Sequence, residues 1–281
     1  MAEFTYNASA LGAGGIIRHR NVETYIPSIG SVALSPTGGA GRTVVENYYS
    51  EPLSFDFAET RVSGGKVDGK HTTQTYVYMK NLQVFNKVTI GELRGIVTST
   101  QSSIPHDDDN SIVMEIYYHD VWVAGQEVSP DVDVCVKSLK RYNDLAAVLS
   151  AVEGNEGPLP TGVVLPDNPE ADLPPQFTMS TLAQLKEHVT VRRALRGSLV
   201  RKVYEDVVPG QRPFDVPVVG LGTVRFGELM FKPGRRRVNL LRVALGADTF
   251  EEDTNNESIV GPNGGSLTIA SVEGNGTPVY P

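Results

Sequence analysis

The chain has 281 residues, 40% of them hydrophobic and 21% charged, and a formal net charge of −8. That length buries a sizeable core without staples, and 28 Gly with 18 Pro make the chain turn-rich but not low-complexity. One Cys excludes internal disulfides and thiolate metal clusters, and the acidic balance argues against general nucleic-acid binding. No run of about 18 apolar residues marks a transmembrane helix. The N-terminus lacks the basic and apolar regions of a signal peptide, so the expected location is cytoplasmic, or extracellular if a leader was removed.

Along the chain the dominant period is two. The run Thr37–Thr43 holds Gly38, Gly39 and Gly41 like a phosphate loop. Pro36, Arg42 and a strand where a helix is required make it a turn. A strand is expected near 43–49, and in the next Leu53, Phe55 and Phe57 alternate with Ser54 and Asp56. In 71–79, Thr73, Thr75, Val77 and Met79 share one face, with Tyr76 and Tyr78 on the other. Strands follow near 87–99 and over 111–119, where Ile112, Met114, Ile116 and Tyr118 alternate with Glu115, Tyr117 and His119. Val132, Val134 and Val136 alternate with Asp131, Asp133 and Cys135. Later strands are expected near 199–207, 222–231, 236–245 and 266–272, the last as an edge strand.

Two segments carry a helical period instead. Leu139, Tyr142, Leu145, Leu149 and Val152 precede Gly154, and Leu182, Leu185, Val189 and Leu195 precede Gly197. A Pro- and Gly-rich linker, 154–175, separates them. The predicted fold is a mainly β, antiparallel, jelly-roll-like sandwich with two short helices. It forms one domain over 1–281, with a helical excursion at about 138–197 and an acidic C-terminal arm at 246–281.

A weak internal echo runs through the strands. Tyr76–Val88 reads as a strand, a polar pair, an apolar–x–apolar step and a turn, and Glu115–Val128 repeats that layout. The hairpins Tyr117–Val128 and Thr75–Thr100, with the ending Leu267–Val279, resemble those of bacterial choice-of-anchor-type all-β domains. The resemblance implies a surface or extracellular domain without catalysis, and it brings no catalytic residues.

Chemistry-bearing motifs are few. The five His show no i,i+2 or i,i+4 pair. His106, Asp107 and Asp109 lie in an acidic turn that doubles as a candidate Ca²⁺ or other hard-cation site. No Gly-x-Ser-x-Gly elbow occurs, and the carboxylates beside Cys135 oppose a reactive thiolate. Strand-borne aromatics, Tyr49 among them, suit protein contact or glycan stacking, and Tyr76, Tyr78, Tyr117 and Trp122 are singled out for that role. Basic clusters at Arg192, Arg193 and at Arg235, Arg236, Arg237 oppose an acidic stretch with Glu251, Glu252 and Asp253.

The functional expectation is a non-enzymatic, self-assembling structural protein whose partners are copies of itself, with no cofactor. A glycan- or ligand-binding module is the alternative, and a metal-dependent hydrolase at 106–109 the second alternative.

Overall fold

A computed structural model describes residues 3–19, 22–102, 111–132, 195–204, 214–232, 235–245 and 264–279. They form mainly β structure in two large antiparallel sheets that share one hydrophobic core. The first sheet has six strands in sequential order: β4 (Gly39–Ser50), β5 (Leu53–Val67), β6 (Lys70–Val84), β7 (Val88–Ser102), β8 (Ser111–Val123) and β9 (Gln126–Val128). Tight turns explain that order. Asp68-Gly69 and Ala124-Gly125 both take positive φ, as two-residue hairpins require. The sheet is therefore a plain meander, and the expected jelly-roll connectivity is not found among the described strands.

The second sheet draws on both ends of the chain. Its path is β11 (Leu195–Ser198), β14 (Gly222–Lys232), β15 (Arg235–Leu245), β16 (Gly264–Val279), β1 (Glu3–His19) and β2 (Val22–Ile29). Strand β13 (Asp215–Val218) adds to β14 and β3 (Val32–Ala33) to β1, while β10 (Asp131–Val132) and β12 (Val200–Lys202) pair separately.

This arrangement corrects two expectations. Residues 264–279 are neither an arm nor an edge, because β16 runs between β15 and β1 with Leu267, Ile269 and Val272 fully buried. Residues 195–196 belong to strand β11 rather than to a helix end. The rest of both expected helices, and the 154–175 linker, lie outside the described residues.

The two sheets share a feature that governs which side chains face in. Across the meander Asn47, Asp56, Asn81, Gly91 and Asp120 lie opposite one another in a single transverse row. Asn47, Asn81 and Asp120, on alternate strands, have φ of 52°, 51° and 54°. Asn and Asp tolerate this left-handed region better than other side-bearing residues. Each strand spends one residue at the row, so its inward parity switches there. Thr73, Thr75, Val77 and Met79 are buried before it and Leu82 and Val84 after it. Phe57 consequently sits on the face opposite Leu53 and Phe55, against the simple alternation read from sequence, and its ring meets Tyr78 edge-on. The echo of polar pair and apolar–x–apolar step is this row seen in sequence.

The second sheet repeats the device through Gly227, Leu240, Ala270 and Gly12, with Gly227 and Ala270 at φ 59° and 53°. A row of bends pulls backbone groups out of regular pairing, and buried carbonyls must then find other donors. The Tyr118 hydroxyl donates to the Leu240 carbonyl at 2.6 Å from the opposite sheet, and Thr60 donates to Gly30 at 2.7 Å. Ser198 donates to Phe226 at 2.7 Å, and the Leu199 amide to Gly227 at 2.8 Å. Burial raises the Tyr118 phenol far above its ordinary pKa, so it stays a donor. Its ring also packs edge-on against Phe226, and Gly95 lets Leu240 approach where a Cβ would lie 2.6 Å from its Cδ1.

The row generates a clear test. Asn81→Val forces a β-branched residue into the left-handed region and is expected to destabilise by roughly 1–3 kcal/mol in urea denaturation. Asn81→Gly relieves that strain and is expected to cost much less.

Candidate functional site

The outer face of the meander collects six strand-borne aromatics: Tyr49, Phe57, Tyr76, Tyr78, Tyr117 and Trp122. Register sets three rows across it: Arg42–Arg61–Tyr76–Ile96–Glu115, Val44–Glu59–Tyr78–Arg94–Tyr117, and Glu46–Phe57–Lys80–Glu92–His119. Beyond the bend, Tyr49, Ser54, Gln83, Thr89 and Trp122 continue the same face. The structure thus brings together Tyr76, Tyr78, Tyr117 and Trp122, the four aromatics singled out from sequence. Tyr117 and Trp122 keep 41% and 39% of their surface exposed. Their neighbours Tyr118 and Val121 point into the core instead.

Cations already sit over three of these rings. The Arg61 guanidinium lies 5.2 Å from the Tyr76 centroid, Lys80 Nζ 5.6 Å from Tyr78, and Arg94 5.4 Å from Tyr117. Tyr78 donates to Glu92 Oε1 at 3.0 Å, and Trp122 Nε1 donates to Asp120 Oδ1 at 2.7 Å. Glu59, only 5% exposed, takes Arg61 at 2.7 Å on one oxygen and Arg42 on the other. The Arg61 hydrogen bond, with help from Arg42, holds its carboxyl below the ordinary value of 4.5 against the opposing effect of burial. Tyr76, Tyr78 and Tyr117 thus each carry a cation on one face, and no cation is described over Trp122. Tyr, Trp and Arg are side-chain types enriched where proteins meet.

One border of this face is β4, whose other side is paired with no strand among the described residues. It presents Arg42, Val44 and Glu46 outward, with Val44 38% exposed and Tyr49 84% exposed. Tyr49 is one of the strand-borne aromatics noted from sequence, whereas Val44 and Glu46 were not singled out and Arg42 entered only as part of the glycine-rich turn. The signal was available in the alternation Arg-Thr-Val-Val-Glu, which has no Lys or Pro to guard an edge.

The remaining sequence candidates fare differently. His106, Asp107, Asp109, Arg192, Arg193, Glu251, Glu252 and Asp253 lie outside the described residues, as does Cys135. Arg235 and Arg236 open β15, and nothing further is described of their side chains. Arg237 donates through Nε and a terminal nitrogen to Glu273 Oε2 at 2.9 and 2.7 Å, its register partner on β16. This basic–acidic pair therefore closes within one chain rather than across a subunit contact. Among the described residues no three His, Cys, Asp or Glu side chains gather as a metal site, and no helix is long and apolar enough to cross a membrane.

A family model described as a domain of unknown function, DUF8256, matches residues 4–154, more than half of the chain. The chain belongs to the DUF8256 family. No curated protein and no solved structure matches it. The DUF8256 match spans the whole meander with its exposed face and the β4 edge, but only β1–β3 of the second sheet's main strands. Of these, β1 pairs with β16, which lies outside the matched residues, and β2 and β3 pair with β1.

The Glu59 geometry fixes a pH dependence. Because its folded pKa is depressed, its stabilising contribution is complete above about pH 4.5 and is lost as pH falls through the folded value. Thermal midpoints are expected to fall between roughly pH 5 and 3, and less steeply in Glu59→Gln.

Proposed function

We propose that this chain is a non-enzymatic structural protomer that pairs with a copy of itself, edge to edge, through β4. The observation that carries this reading is the order Arg42–Val44–Glu46 on an unpaired edge. An antiparallel two-fold pairing centred on Val44 sets Arg42 of one copy opposite Glu46 of the other, twice. It sets Val44 against Val44 and, on the inner side, Thr43 against Val45. Such a strand is complementary to itself, which is the requirement for an isologous contact. Main-chain hydrogen bonds supply affinity, and each opposite-charge pair adds about 0.2–1 kcal/mol and fixes the register.

The bend at Asn47 confines the regular ladder to Arg42–Glu46, so growth along the edge is limited. The opposite edge, β9, has three residues and offers no comparable template. The product is a closed pair with one continuous meander sheet of both copies, not an open filament. The cation-covered aromatic faces then lie side by side and favour a protein partner over a glycan. A surface location, as the anchor-type resemblance implies, is compatible with this role.

Light scattering is expected to give twice 30.4 kDa at high concentration. Glu46→Arg and Val44→Lys are each expected to weaken pairing at least tenfold, while Glu127→Arg on β9 leaves it unchanged. A 30.4 kDa particle at all concentrations, or equal pairing in every variant, contradicts the proposal.

A further inference from the structure

On the outer face of the second sheet a groove of about 820 Å³ crosses β15, β16, β1, β2 and β3. Its volume falls within the roughly 300–1,000 Å³ range of small-molecule sites. The lining is rich in hydroxyls: Ser9, Ser28, Ser266, Thr268 and Ser271. The wall includes Tyr25, 65% exposed, with no cation over its ring among the described contacts. At the β15 end stands Arg237, held by Glu273, which is itself 6% exposed.

Two observations mark this as more than a stripe of small residues. Ser271 is 7% exposed and lines the groove, yet its hydroxyl has no hydrogen-bond partner among the described residues. That hydroxyl lines the groove with its donor and acceptor capacity open to a ligand. The floor also carries no side chain at Gly14, although one would fit. Gly14 has ordinary backbone geometry and faces Thr268, and a Cβ there meets nothing closer than 3.6 Å.

We infer that this groove binds a carbohydrate chain. A hydroxyl is both donor and acceptor, so a row of Ser and Thr matches sugar hydroxyls that are also both. Tyr25 supplies a free ring face for the apolar side of a pyranose. The Arg237–Glu273 pair offers fixed donors and acceptors at one end, and the open cleft accommodates a chain rather than a single enclosed molecule. The inference is independent of pairing through β4.

The test uses the full chain and a panel of hexasaccharides built from glucose, xylose, mannose, N-acetylglucosamine and galacturonate, followed by calorimetry. At least one probe is expected to bind. Gly14→Val, which fills the floor, and Tyr25→Ala, an exposed substitution that leaves the core alone, are each expected to weaken it at least tenfold. Emission from Trp122, the single Trp, is expected not to change, because it lies on the other sheet. Absence of binding by every probe overturns the inference. So does binding that survives Tyr25→Ala and Gly14→Val but shifts Trp122 emission, which would place the sugar on the meander face.

Discussion

A residue inserted at one level of a sheet must be matched in every neighbouring strand, or the register beyond it is lost. Both sheets of this protein obey that constraint with a complete transverse row: Asn47 to Asp120 in the meander, and Gly227 to Gly12 opposite it. The row exchanges inner and outer faces halfway along each strand. It also takes backbone carbonyls out of the ladders, and several of these are satisfied from across the core. Tyr118 to Leu240 and Thr60 to Gly30 therefore fix the relation between the sheets as well as satisfying buried acceptors.

The same bend shapes what the surface can do. It puts Phe57 beside Tyr78 and carries Trp122 onto the face that holds Tyr117. On β4 it ends the straight part of the edge at Asn47, leaving a short segment with its charges in self-complementary order. The opposite sheet has a different character: hydroxyls and a bare glycine floor form a cleft where the meander carries aromatics under cations. Two faces with such different chemistry suit two different partners. The family match covers the first face whole, whereas the second is complete only with β15 and β16.

Much of this was legible in the alternation of apolar and polar residues. Strands β4 to β8 and β14 to β16 were visible because Val, Ile, Thr and Tyr recur with period two. The faces of Tyr76 and Tyr117 followed directly. Strand β1 was not visible, since Ala8, Ala10, Ala13 and three glycines carry little β propensity, and its place comes from pairing with β16. The central position of β16 was hidden by the acidic stretch before it, which drew the whole C-terminus into one compositional class. Parity beyond Asp56 was misread because a left-handed residue in a strand leaves only an Asn or Asp as its trace. The alternation of β4 was local, but that β4 is an edge, and that the hydroxyls of β16, β1 and β2 share one groove, depend on which strands are neighbours.

Pairing through β4 is tested most directly by amide hydrogen exchange measured across a concentration series. Amides of Arg42–Glu46 that point away from β5 have no strand partner among the described residues and gain one in the proposed pair. Their exchange is expected to slow as concentration rises, while amides of β9 exchange at a constant rate. Exchange in β4 that is independent of concentration, under conditions where the mass has doubled, would show that copies meet elsewhere.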